Sequence, residues 1–184
     1  MRKVVVSEFV SLDGVFEEPA WTFAFHGDEQ DAFKFAELRA ADALLLGRVT
    51  YEGFAAAWPG MAEQTGEYGA MMNGYPKYVA STTLETTTWN ANLLRGDLGE
   101  AVAALKAQPG RDILVFGSGR LVADLMGRGL VDEYRLLVFP VVLGRGRRLF
   151  PEGTQATLQL AEARAFGSGV VALTYRPAAQ QGTA

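Results

Sequence analysis

Apolar residues fall in short blocks along this chain, and the blocks change period from one segment to the next. Val4 to Val10 is β-branched and aromatic with little alternation, so it predicts a strand covered on both faces. Ser11-Leu12-Asp13-Gly14 ends it in a turn, and a loop carrying Pro19 and Trp21 follows. Residues 28–41 predict a helix, with Asp31, Phe35 and Leu38 sharing one stripe at i, i+4 and i+7. Ala43 to Leu46 is a short apolar strand stopped by Gly47, and a helix resumes from Val49 to Ala57. Pro59 to Gly74 is polar and glycine-bearing, with no period strong enough to name an element.

Lys77 to Ala80 predicts a strand ending at Ser81-Thr82-Thr83, and the threonine-rich Glu85 to Trp89 predicts another. Leu98, Val102 and Leu105 give Asp97 to Ala107 an amphipathic helical period. Ile113 to Phe116 is a buried strand running into Gly117-Ser118-Gly119, and a helix from Arg120 to Met126 follows. The last third changes character. Val131 to Val142, Thr157 to Phe166 and Val170 to Tyr175 read as strands, with Gly167-Ser168-Gly169 as a hairpin turn. Alternating β and α elements finishing in antiparallel strands predict a mixed sheet with helices on both faces. The expected domain is residues 1–177, with 178–184 a frayed tail.

Composition narrows the function classes. The 184 residues suit one domain with a sizeable core. There is no cysteine and one histidine, which excludes thiolate chemistry and argues against a metal enzyme. A formal charge of −4 gives no global field to attract nucleic acid. The longest purely apolar stretch, Leu136 to Leu143, is too short to span a membrane. Glu8 and Asp13 interrupt the apolar N-terminal run, so it does not read as a signal peptide, and the cytoplasm is the expected location.

Three strand ends carry the chemistry of a dinucleotide site. Ligands of open α/β sheets bind beyond the carboxyl ends of the strands. At Leu46-Gly47-Arg48-Val49-Thr50 a strand meets glycine and a helix starts at once, offering free N–H groups, a guanidinium and a hydroxyl to an anion. At Phe116-Gly117-Ser118-Gly119-Arg120-Leu121 glycines between strand and helix let the backbone approach a diphosphate. Ser81 and Thr82 offer short hydroxyls to a ribose phosphate. Each segment also reads as an ordinary turn or cap, and their coincidence in one small α/β chain is what favours a nucleotide.

The segments SLDG, LLLGRVTYEGF, YVAST and ILVFGSGRLVADLM…GLVDEYRLLVFPVVLGRGRRLF resemble the dihydrofolate reductase superfamily. The resemblance is strongest to the branch with the C-terminal reductase domain of the bifunctional riboflavin-biosynthesis deaminase–reductase, and it covers roughly residues 3–176. It implies a three-layer α/β/α fold around a central mixed sheet, NADPH as hydride donor, a small-molecule substrate and commonly a homodimer. By position it assigns Gly47, Arg48 and Thr50 to the cofactor phosphates. Ser81 and Thr82 fall near the adenosine 2′-phosphate, and Gly117, Ser118, Gly119, Arg120 and Leu121 at the diphosphate. Dihydrofolate reductases carry Gly-Gly with a cis peptide in that loop, whereas this chain has Gly117-Ser118. The loop from Phe16 to Gly27 sits where the family places its substrate lid, which makes Leu12, Asp13 and Trp21 the candidate substrate-binding residues.

Reduction of a C=N or C=O bond also needs a proton. Asp31 is the candidate donor: its stripe predicts that it points inward, and counting back from Gly47 it matches the dihydrofolate reductase carboxylate. It also reads as a first-turn acid facing the helix dipole, with Asp28 as N-cap and His26 in the preceding loop. Arg145, Arg147 and Arg148 form a basic cluster that reads either as a phosphate site or as a solvated hairpin. The expected activity is an NADPH-dependent reductase of a small heterocyclic or phosphoribosylamino-pyrimidine-type substrate. The rivals are a 7,8-dihydrofolate reductase, a non-catalytic nucleotide-binding protein and a flavin-binding protein.

Overall fold

The computed structural model describes residues 1–178. In chain order its elements are β1 (Val4–Ser11), α1 (Asp28–Ala40), β2 (Ala41–Gly47), α2 (Arg48–Ala57), α3 (Ala62–Gly74) and β3 (Lys77–Ala80). There follow β4 (Ala91–Leu94), α4 (Leu98–Ala107), β5 (Asp112–Phe116), α5 (Gly119–Gly127), β6 (Glu133–Phe139), β7 (Leu158–Ala165) and β8 (Val171–Pro177). One eight-stranded sheet takes the order β4-β3-β2-β5-β1-β6-β8-β7. The run from β4 to β6 is parallel, and β8 and β7 close the edge antiparallel. The mixed sheet with antiparallel C-terminal strands is therefore present.

Alternation along the central strands sorts the core into two layers. Val4, Val6, Ile113 and Val115 face α4 and α5, packing with Val102, Leu121 and Leu125. Val5, Leu44, Leu46 and Leu114 face the other way, where Leu38, Tyr51 and Met72 of α1, α2 and α3 cover them. Both faces are apolar in the middle of the sheet, which is why these strands read as unbroken hydrophobic runs.

Three elements differ from the sequence pattern, one of them β4, a strand that the apolar pattern did not name. Pro59 to Gly74 holds α3, a helix whose period is hidden by glycines and by a kink at Gly66, where φ is 56°. Glu85 to Trp89 is not a strand. It belongs to the crossover that carries the chain from β3 to the parallel β4, and Trp89 and Asn90 both turn through φ 53° before β4 begins. Its threonines serve the crossover: Thr88 N–H donates to the Tyr51 hydroxyl at 2.7 Å, and the Thr87 hydroxyl donates to the Ala91 carbonyl at 2.6 Å.

The homodimer expected through the C-terminal strands rested on the apolar run from Leu136. Leu136, Leu137 and Phe139 are buried within this chain's own sheet, while Val142, further along the same run, is exposed. The expected tail begins with Ala178, whose N–H donates to the Thr157 carbonyl at 3.0 Å. Residues 179–184 lie outside the described residues.

Lys77, at the start of β3, is fully buried. Its ammonium donates to the Asn73 carbonyl at 2.7 Å and lies 4.0 Å from the centre of the Trp89 ring. Burial pulls its pKa from 10.5 down to about 8. Between those two values the unfolded chain holds a proton that the folded chain has released. Stability from this group therefore rises with pH from about 8 to 10.5 and is absent below 8. Lys77→Met should abolish that rise, worth on the order of 3 kcal/mol across the whole window. Urea denaturation of both proteins at pH 7 and pH 9.5 checks this, and parallel pH dependences would contradict it.

Candidate functional site

The site forms where β2 and β5 end side by side. These strands pair parallel through Ala43↔Ile113 and Leu44↔Leu114, so Gly47 and the Gly117-Ser118-Gly119 loop leave the sheet as neighbours. The Ser118 hydroxyl accepts the Gly47 N–H at 2.9 Å and donates to the Phe116 carbonyl at 3.1 Å, tying the two loops together. Gly117 and Ser118 are both left-handed, with φ 55° and 64°, and the peptides are trans. Left-handed backbone suits Gly117, where a Cβ would also come within 3.0 Å of the Thr50 hydroxyl. A Cβ on Gly119 would come within 2.2 Å of the tip carbon of the Phe16 ring, Cζ.

Helices α2 and α5 both start at this junction, and neither has a side-chain cap. By contrast α4, elsewhere in the fold, has Asp97 accepting the Glu100 N–H. Two adjacent helix starts with free N–H groups form an anion-binding surface. Gly47, Thr50, Gly117, Ser118 and Gly119 thus meet in one place.

The remaining cofactor candidates are placed less directly. Arg48 is exposed and pairs with Glu52 at 2.8 Å along α2. The Ser81 hydroxyl accepts the N–H groups of Thr83 and Leu84 at 3.2 and 3.0 Å, so it shapes the turn after β3, and Thr82 is exposed beside it. Arg120 is exposed, while the Leu121 side chain is a core residue and offers the site only its backbone.

On the substrate side, Leu12 is exposed at the rim. The Asp13 carboxylate is held down to about 2 by the Ser11 hydroxyl first and then by the N–H groups of Leu143 and Gly144. It pins the SLDG turn to the chain beyond β6. Trp21 rides on a 3-10 helix, Pro19–Phe25, and packs edge-on against Phe139 at 5.5 Å. With Val15, Glu17, Val142, Arg145 and Gly146 it lines a cavity of about 420 Å³. Of the arginine cluster, Arg147 clamps Glu17 at 2.7 Å and Arg148 donates to the Asp13 carbonyl at 3.1 Å. Those two are therefore structural ties, and Arg145 faces the cavity.

Asp31 does not point inward. It is exposed and lies 3.2 Å from His26. Leu38 of the expected stripe is fully buried, but Gln30 and Glu37, with Lys34 nearly covered, take the inward positions in place of Asp31 and Phe35. Polar residues hold this inward face, so hydrophobic periodicity misplaced Asp31. Lys34 reaches the Ser7 hydroxyl at 2.6 Å and Glu37 at 2.7 Å. Glu37 also faces Arg135 at 3.8 Å, and Arg135 pairs with Glu133 at 2.6 Å.

Comparison with known proteins bears directly on this arrangement. The sequence profile of the RibD C-terminal domain family matches residues 2–172. The chain belongs to the RibD C-terminal domain family. Among its relatives is an uncharacterized Bacillus subtilis protein, YyaP, 31% identical over 181 residues that cover 95% of this chain and 94% of the relative. A second, YwjB of the same organism, is 30% identical over 174 residues, covering 92% and 95%. A putative riboflavin biosynthesis protein from Shewanella sp. PV-4 shares the fold with TM-score 0.79 and 21% identity, over 96% of this chain and 99% of that one. A dihydrofolate reductase from Enterococcus faecalis, solved with NADP(H), shares it with TM-score 0.65 and 13% identity, over 96% and 97%. The dihydrofolate-reductase-like three-layer fold is thus the fold of this family member.

Because Gly119 and Phe16 are in contact, the cradle and the loop after β1 are mechanically linked. Gly119→Ala should displace Phe16 and cost about 1–3 kcal/mol, the usual range for overpacking. Phe16→Ala should relieve that cost in the double variant. Thermal melts of the four proteins test the coupling, and additive losses would contradict it.

Proposed function

We propose that this family member is an NADPH-dependent reductase of a small heterocyclic or phosphoribosylamino-pyrimidine-type substrate. The observation that carries the reading is the junction of two uncapped helix starts, α2 and α5, at adjacent parallel strand ends bridged by Ser118. The residues present fit a dinucleotide. The chain packs Thr50 against Gly117 and Phe16 against Gly119, which only glycine allows, and the free N–H groups of the two helix starts suit a diphosphate. Gly47, Thr50, Gly117, Ser118 and Gly119 would hold that diphosphate, with Arg48, Ser81 and Thr82 toward the adenosine end. A bound reduced nicotinamide supplies a hydride.

The chain's own contribution is binding, orientation and exclusion of water. The loop carrying Phe16 and Trp21 covers the strand ends, and Arg145 gives the adjoining cavity a cation for an anionic substrate tail. The riboflavin-type reading is preferred to 7,8-dihydrofolate because the one acid that the resemblance to dihydrofolate reductases supplied, Asp31, is exposed and paired with His26.

Arg48 must release Glu52 to reach a 2′-phosphate. NADPH should therefore bind more tightly than NADH, and Arg48→Ala should weaken NADPH by about 1.5–3 kcal/mol while leaving NADH nearly unchanged. Glu52→Gln should strengthen NADPH binding. Calorimetry with both cofactors decides the matter, and equal affinities would sink the assignment.

The homodimer implied by the resemblance has β7 as its remaining C-terminal surface, an edge strand exposed along nearly its whole length with Leu160 half-exposed. Light scattering at micromolar concentration should show a dimer that Leu160→Glu dissociates. A monomeric parent protein would rule it out.

A further inference from the structure

The loop after β1 and the turn after β6 meet around the cavity of about 420 Å³. Val15, Trp21 and Leu143 give it apolar walls, while Glu17, Glu18 and Arg145 bring charge. The neighbouring charges are spent on the fold. Arg147 clamps Glu17 at 2.7 Å, and Arg148 donates to the Asp13 carbonyl at 3.1 Å. Glu18 and Arg145 remain, one of each sign. Both are exposed, both line the cavity, and neither has an ion-pair partner among the described residues.

Opposite charges that share a small cavity attract each other, so their separation needs a reason. The backbone supplies it. Glu18 is left-handed, with φ 47° and ψ 63°, immediately before Pro19. That conformation is costly for a residue with a side chain, and a following proline favours extended backbone instead. Strain of this kind gathers where a site must be held in shape. Arg145 lies between Gly144 and Gly146, and the Gly144 N–H is held by the Asp13 carboxylate at 2.8 Å. Trp21 is fixed as well, its indole N–H donating to the Glu17 carbonyl at 3.1 Å. The cavity adjoins the cofactor cradle, because Val15 precedes Phe16, whose ring packs on Gly119.

We propose that Glu18 is a specificity-determining residue of this cavity. It selects a planar ligand that carries an exocyclic amine at one edge and an anion at the other, where Arg145 holds it. The inference rests on the reductase reading and names the edge of the substrate that the chain reads.

A carboxylate only accepts hydrogen bonds. An amine N–H therefore satisfies Glu18, whereas an oxygen in the same place sets acceptor against acceptor and leaves both unpaired. The Arg145 guanidinium takes an anionic tail through two parallel N–H bonds. Between them the flat face of Trp21 suits a ring, and the volume is that of a site for one small molecule.

The probes are para-aminophenyl phosphate and para-nitrophenyl phosphate. They share a ring and an anionic tail, and they differ in presenting a donor or an acceptor at the far edge. NMR titration of the whole protein should show the amine binding about fivefold more tightly than the nitro compound. Glu18→Gln should bring the two together by weakening the amine and strengthening the nitro compound, because an amide both donates and accepts. A glutamate that only shaped the turn would not move the two in opposite directions. Glu18→Gly, which suits the left-handed backbone, should fold and also lose the preference. Arg145→Ala should weaken both phosphates about tenfold.

Absent or equal binding of the two phosphates, a preference that survives Glu18→Gln, or affinities indifferent to Arg145→Ala each overturn the inference. With NADPH still bound by the parent protein, those results leave the cofactor reading intact. Failure of the parent protein to bind NADPH overturns the reductase reading and the inference with it.

Discussion

The parallel pairing of β2 with β5 is the constraint on which the rest of the site depends. It is fixed at both ends by side chains. At the start, Asp42 sits in a register shift between Ala41 and Ala43, pairs with Arg2 and accepts the Arg111 N–H at 2.9 Å. At the finish, the Ser118 hydroxyl takes the Gly47 N–H. Between those ties, Leu44, Leu45, Ile113 and Leu114 are fully buried. Two loops far apart in sequence leave the sheet together, and the two helices that follow them open onto the same space. A register slip of one residue would reverse the faces of the whole strand. The site is therefore as rigid as the core beneath it.

The second layer of organisation is electrostatic. Beneath α1 the chain buries a row of charges where an apolar seam would have served the fold. Lys34, Glu37, Arg135 and Glu133 lie in sequence, and Arg176 closes the row on Glu133 at 3.1 Å. Buried ion pairs of this kind seldom stabilise a protein relative to well-packed hydrophobes, although removing one partner costs about 3–5 kcal/mol. The row runs from Glu133 at the start of β6 to Lys34, which reaches Ser7 beside the carboxyl end of β5.

Much of this was legible in the residues. The central strands, α2, α4, α5 and the C-terminal hairpin follow from apolar runs, a helical period and glycine turns. The two strand–glycine–helix junctions were readable as well, because they depend on local chemistry that stays local in the fold. What could not be read was orientation. The inward face of α1 carries Gln30, Lys34 and Glu37, and no pattern built on apolar residues detects a polar inward stripe. Asp31 was selected for the company of Phe35, which packs instead on Tyr68 at 6.2 Å. Glu8, a charge inside a strand otherwise fit for full burial, is itself buried, which a hydrophobic pattern does not anticipate. The crossover from Glu85 misled because threonines suit strands and turns alike.

The loop after β1 is held at two places, by Glu17 on Arg147 and by Trp21 and Phe25 on the edges of Phe139. Between those anchors Ala20 and Phe23 are exposed. The sheet does not depend on the residues in between, and the loop could lengthen or change chemistry there without disturbing the strands. An ancestral scaffold with this division of labour could acquire new substrates by drift in one short segment. The cradle and the charge row would stay as they were, and each new specificity would begin from a protein that already folds.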